Sequence, residues 1–111
     1  YYAKAQNLSR ELADRYDDAL SDVDVLAMPT TPQTAHEHRT DLDRLAVIDR
    51  ALCMLTNTAP FDVTGHPALS VPAGISDGLP VGLMFVGERF DDATVLNAGH
   101  AFEQHHDWEA F

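Results

Sequence analysis

The chain has 111 residues, about one small domain, and its 18 acidic against 7 basic residues give a formal charge of −11. A surface of that sign repels phosphate backbones and anionic bilayers, which argues against nucleic acid and membrane partners. The lone cysteine, Cys53, can form no internal disulfide and no metal-binding Cys pair, and no stretch approaches the roughly 20 apolar residues of a membrane span. These features fit a reducing cytoplasm. Lys4 is the only lysine, and an acidic, lysine-poor composition is what a high-salt cytoplasm favours. The sequence opens at Tyr1-Tyr2-Ala3, directly in helical sequence and without an initiator Met or a visible signal peptide, so a piece of a longer polypeptide is expected.

Residues 2–22 read as a helix, because Leu8, Leu12, Tyr16, Ala19 and Val23 recur at spacings of three and four. Asp24 to Met28 reads as a short buried strand closed by Pro29, which cannot donate to a sheet ladder. Met28-Pro29-Thr30-Thr31-Pro32 is a stiff loop, and residues 33–39 are polar. A second helix is expected from Thr40 to about Leu55, with Thr40 as N-cap and an apolar face of Leu42, Leu45, Ile48, Leu52 and Leu55. Residues 56–67 form a turn-rich connection.

Ala68 to Val71 is a second strand stopped by Pro72, and Pro80 to Val86 is a third, antiparallel to it, with an Asp77-Gly78 turn between them. Gly82 inside the third strand signals close packing or a bulge. The last helix starts at an Asp91 N-cap, with Phe90 stapled on Val95, and runs to about His105. This order points to an α/β or α+β layer arrangement.

Candidate chemistry is thin. Asp62, His66 and Ser70 are the residue types of a hydrolytic triad, but Ser70 sits mid-strand without the glycine-flanked elbow that exposes a nucleophile; a strand serine and two turn residues is the simpler reading. Cys53 lies in the apolar helical run 51–55 and reads as a buried small thiol. His36, His38, His100, His105 and His106 have no spacing that fixes a tetrahedral metal set. Asp17-Asp18 and Asp91-Asp92 read as a solvated face and a helix start. No phosphate-binding glycine loop is present.

One region is more specific. Residues 57–74, Asn-Thr-Ala-Pro-Phe-Asp-Val-Thr-Gly-His-Pro-Ala-Leu-Ser-Val-Pro-Ala-Gly, resemble the C-terminal signature of the amidase-signature family. Gly78 to Gly87, Phe90 to Leu96, and Ala101-Phe102-Glu103 continue the resemblance, and Asp24 to Pro32 is similar to the strand and loop upstream. The resemblance implies the C-terminal part of an α/β fold with mixed-sheet strands flanked by helices. It implies cleavage of carboxamides to carboxylate and ammonia, without metal or organic cofactor. The family's Ser-Ser-Lys machinery belongs to a Gly/Ser-rich segment that has no counterpart here, so no catalytic residue is carried over and this stretch alone is expected to be inactive.

What carries over is pocket wall: Thr30, Thr31, Leu55, Asn57 and Thr58 are the implied substrate-binding residues, beside turns where Thr and Asn also bond to backbone. Leu55 stands where the A subunit of glutamyl-tRNA(Gln) amidotransferase has an acid, which favours a stand-alone amidase of apolar and aromatic amides. The implied partners are the N-terminal part of the same enzyme and a small amide, with a homodimer left open. Three rival readings stand beside it: the glutamyl-tRNA(Gln) amidotransferase component, a silent binding or assembly module with the same pattern, and an unrelated small α/β domain. The last would be favoured if strand 80–86 failed to neighbour strand 68–72. Strands leaning on absent strands would leave residues 1–111 poorly stable alone.

Overall fold

The computed structural model describes residues 1–107. Its elements are α1 (Tyr2–Leu20), β1 (Leu26–Pro29), α2 (Arg44–Cys53), α3 (Ala59–Thr64), β2 (Ala68–Ser76), β3 (Leu79–Val86) and α4 (Asp92–His105). The strands form one antiparallel sheet in the order β1-β3-β2. Strand 79–86 therefore pairs with strand 68–76, so the observation that would have favoured an unrelated domain is not made.

The β2–β3 hairpin turns on Asp77-Gly78, with Ser76 opposite Leu79. Both turn residues have positive φ, 52° and 78°, the left-handed pair that a two-residue hairpin needs and that Asp-Gly supplies at low strain. The register shifts between Pro72 and Gly74, so β2 continues past Pro72 to Ser76 through a bulge instead of stopping there. Pro72 is tolerated because β2 is an edge strand. Pro80 is tolerated because β1 pairs only with Leu83 to Val86, leaving that part of β3 open on one side.

Alternation along β3 divides the core between the two sheet faces. On one face Met84 and Val86 pack with Phe61 of α3, Tyr16 of α1, and Leu26 and Met28 of β1. On the other Phe85 packs with Val71, Leu69, Leu83 and the α4 residues Val95, Ala98 and Phe102. Only the C-terminal half of α1 is held: Ala13 and Leu20 are buried while Leu8 is exposed.

The α2 N-cap, residues 59–64 and the Phe90 staple need correction. The α2 N-cap is Asp43, whose carboxylate accepts from the Ala46 N–H at 2.9 Å, so the helix starts later than a Thr40 cap would put it. The apolar face of α2 packs on nothing here: no α2 residue is buried, and Leu45, Ile48, Leu52 and the following Leu55 are exposed. Residues 59–64 are helical, started by Pro60 in the first turn. Phe90 is not stapled on Val95; it has φ 70° and is 95% exposed, although Asp91 does cap α4 by accepting from Thr94 N–H at 3.3 Å.

The body measures 45 × 43 × 16 Å with a radius of gyration of 16.4 Å. A compact domain of this length has about 13 Å. The chain is a thin slab: one sheet, partly covered on each face.

Candidate functional site

The sheet ends in a polar bracket. Past Pro29 the chain stays on the sheet for one more residue, because Thr30 N–H donates to the Gly82 carbonyl at 2.9 Å. This puts the Thr30 hydroxyl 2.5 Å from the Ser70 hydroxyl of β2, across the central strand. Gly82 makes the approach feasible: a Cβ there would lie 2.7 Å from Thr30 Oγ1 and 2.9 Å from Ser70 Oγ. The close packing expected at Gly82 is thus present, and the bulge lies opposite it in β2.

The loop before α3 is tied to the same place. Asn57 Nδ2 donates to the Pro29 carbonyl at 2.9 Å. Thr58 follows, with its hydroxyl donating to the Leu55 carbonyl at 3.3 Å. Between loop and sheet lies a cavity of about 310 Å³. Phe61, Ala68 and Met84 give it an apolar floor; Thr30, Thr58, Ser70, Asp62 and His66 give it polar walls.

Of the sequence-derived wall residues, Thr30 and Thr58 meet at this cavity. Thr31 faces a separate groove of about 350 Å³ between the Pro29–Thr34 loop and Ala73, Val81 and Leu83 of the sheet. Its hydroxyl donates to the Gln33 carbonyl at 2.7 Å. Asn57 acts on backbone, and Leu55 is 51% exposed.

The triad types do not assemble into a triad. Ser70 is bonded to Thr30, not to an imidazole. The His66 ring is buried, with Nδ1 bonded to Thr64 Oγ1 at 2.8 Å and Nε2 to Asp17 Oδ1 at 3.1 Å. Asp17 also accepts from Arg89 through its second oxygen. The result is a chain Thr64–His66–Asp17–Arg89 that fastens α1 to the turn before β2 and to the loop before α4. Tyr16 flanks the imidazole edge-on, ring centroids 5.7 Å apart. Residues 17 and 66 lie 49 positions apart, and no local pattern announces their pairing.

Cys53 is half-buried instead of buried, and its sulfur is surrounded by polar partners: Gln33 Nε2 at 3.1 Å, the Arg50 carbonyl at 3.2 Å and His36 Nε2 at 3.4 Å. These contacts hold the 33–39 segment against α2, as does Arg50 donating to the Glu37 carbonyl at 2.7 Å. His106 lies against Phe102 and is bonded to the Ala73 carbonyl at 3.0 Å. Among the described residues no group of three or more His, Cys, Asp or Glu is placed to hold a metal ion, and no helix is long and apolar enough to cross a membrane.

The amidase family model matches residues 1–96, and the chain belongs to the amidase-signature family. It is 57% identical over 104 residues to a protein encoded in the nthA 5′ region of Rhodococcus erythropolis, covering 93% of this chain and 52% of that one. It is 53% identical over 105 residues to an enantioselective amidase of Rhodococcus rhodochrous, covering 93% of this chain and 20% of the relative. The crystal structure of the glutamyl-tRNA(Gln) amidotransferase A subunit of Thermotoga maritima superposes with a TM-score of 0.79 at 35% identity, over 94% of this chain and 22% of that one. The chain therefore spans about half of one relative and about a fifth of the others.

Proposed function

We propose that residues 1–111 are the C-terminal part of a single amidase-signature domain, in an enzyme that hydrolyses a carboxamide to carboxylate and ammonia. In this reading the Ser-Ser-Lys machinery comes from the remainder of the polypeptide. The present chain gives strands to the parent sheet and one wall to the substrate pocket. The carrying observation is the cavity of about 310 Å³, where hydroxyls from three separated segments, Thr30, Thr58 and Ser70, converge over an apolar floor. That arrangement suits the acyl part of an amide: apolar contact holds the carbon skeleton, and hydroxyls orient it. Thr30 and Thr58 are assigned to touch substrate. Asn57 is assigned to hold the loop on β1, and Thr31 and Leu55 to line the approach.

A stand-alone amidase is favoured over the amidotransferase reading. The 53% identity to an enantioselective amidase supports this, as does an apolar residue at position 55, whose carbonyl accepts from the Thr58 hydroxyl. A cytoplasmic location goes with the single reduced cysteine, and adaptation to high salt goes with the acidic composition.

The test is ammonia release by the full-length gene product from simple aliphatic and aromatic amides and from glutamine. Turnover of the simple amides above glutamine supports the assignment. Turnover of glutamine alone transfers it to the amidotransferase reading. Hydrolysis by residues 1–111 alone would show that the chemistry has been misplaced.

A further inference from the structure

The three hydroxyls at the cavity differ in what they have left to give. Thr58 donates its one hydroxyl proton to the Leu55 carbonyl, so toward the cavity it can only accept. Thr30 and Ser70 have two hydroxyl protons between them, and one lies in the 2.5 Å bond that joins them. The other remains for a ligand.

The backbone of Thr30 is fixed through the peptide group it shares with Pro29. At one end of that group the Thr30 N–H donates to the Gly82 carbonyl at 2.9 Å. At the other the Pro29 carbonyl accepts from Asn57 Nδ2, also at 2.9 Å. Neither bond fixes rotation about the Thr30 Cα–Cβ bond, which exchanges hydroxyl and methyl among staggered positions. The bond to Ser70 does, because only a rotamer with the hydroxyl turned toward β2 can make it. Ser70 is itself seated in the ladder, opposite Met84 of β3. A side chain at position 82 would stand between the two oxygens, and Gly82 has none.

Resting on the assignment of Thr30 to touch the amide substrate, we infer that Ser70 is a positioning residue for that contact. It holds the Thr30 hydroxyl in one rotamer and keeps the Thr30 methyl from taking its place. Hydrogen bonds in a chain polarise one another, so the Ser70 bond also strengthens the one that Thr30 makes to substrate.

A kinetic cycle on the full-length enzyme tests this, with butyramide as substrate and wild type, Thr30→Val, Ser70→Ala and the double variant compared. Each single change should lower kcat/KM about fivefold, the loss of one neutral hydrogen bond. The double variant should match Thr30→Val within about twofold, since Ser70 has nothing to position once the hydroxyl is gone. A merely structural role for Ser70 would persist in the Thr30→Val background. Losses that multiply, or a Ser70→Ala enzyme as active as wild type, therefore overturn the inference. An unchanged kcat/KM in Thr30→Val removes Thr30 from the substrate contact, and the inference falls with it. Release of ammonia by none of the four, from butyramide or other amides, sinks the amidase reading itself. The positioning is then read from a crystal structure of full-length Ser70→Ala: a Thr30 side chain spread over two rotamers upholds it, and a hydroxyl left in its original place overturns it.

Discussion

Thr30 and Ser70 lie 40 residues apart and share a hydrogen bond of 2.5 Å across a strand that has no side chain at the crossing point. The missing side chain is that of Gly82. Two edge strands are thereby joined through their hydroxyls above the central one, and the junction forms part of the cavity wall. The fold and the candidate site meet at this spot: the strand order sets the separation of the hydroxyls, and the glycine lets them touch.

Gly82→Ala should be destabilising although its φ is ordinary, because the added Cβ would sit 2.7 and 2.9 Å from two oxygens that the sheet holds in place. Overpacking of this kind costs about 1–3 kcal/mol. Ser70→Ala removes one of the two clashing oxygens. The double variant should therefore lose less than the sum of the single losses, by more than the ~0.5 kcal/mol scatter of independent sites. Thermal midpoints of the four full-length proteins complete the cycle, and strict additivity would show that the two positions do not press on each other.

His66→Ala removes a buried ring with two hydrogen bonds and leaves Thr64 and Asp17 each short of a partner. Asp17 is the cheaper orphan, since Arg89 still holds it and its side chain is 36% exposed. Thr64 is buried, and an unsatisfied buried hydroxyl costs about 1–3 kcal/mol before the lost packing against Tyr16 is counted. A loss of about 3 kcal/mol is expected in total. His66→Gln, which can keep one of the two bonds, should fall between that and wild type. An unchanged midpoint for His66→Ala would mean that the network is ornamental.

The sequence made some of this legible and hid the rest for identifiable reasons. Helix α1, the hairpin at Asp77-Gly78 and the Asp91 cap of α4 follow from short-range rules, which is why they could be read within a residue or two. Helix α3 was hidden because its six residues contain Pro60 and end at Gly65, the residues that also mark a turn. Thr40 and Asp43 are equally good caps by residue type; the helix uses Asp43, which is extended and accepts from the Ala46 N–H. Of the site, Thr30 and Thr58 could be named from family resemblance. Their meeting with Ser70, and the bond from His66 to Asp17, depend on strand order and on helix α1 lying beside α3. Neither leaves a local trace.

Among the described residues Arg39 and Asp41 give the one pH-dependent contact with a resolved direction. The guanidinium hydrogen bonds to both carboxylate oxygens and holds Asp41 below its usual 3.8. Because the folded value is the lower one, the contact contributes above 3.8 and is lost as pH falls through the folded value. Both side chains are exposed, so the effect is local and salt-sensitive. Carboxyl-carbon NMR should find the Asp41 midpoint below 3.8 and returning toward it in Arg39→Gln. An Asp41 midpoint indifferent to that change would mean the pair does not persist in solution.

Helix α2 separates a slab that is complete from one that is not. Leu45, Ile48 and Leu52 lie on one face of α2 at helical spacing, with exposures of 77%, 42% and 60%, and Leu55 continues the row at 51%. Apolar rows of this length mark a contact surface more often than a free one. If the remainder of an amidase body covers the row, Leu45→Lys with Leu52→Lys should destabilise the full-length protein by about 2–5 kcal/mol per fully covered leucine. The same pair of changes should leave the isolated 111-residue chain no less folded and make it less prone to associate, since its row faces water. Sedimentation of the isolated chain and thermal unfolding of both forms would separate the outcomes. Surface substitutions that touch nothing stay within about 0.5 kcal/mol, so a full-length protein indifferent to both lysines would place this face in solvent and refute the covered-row argument.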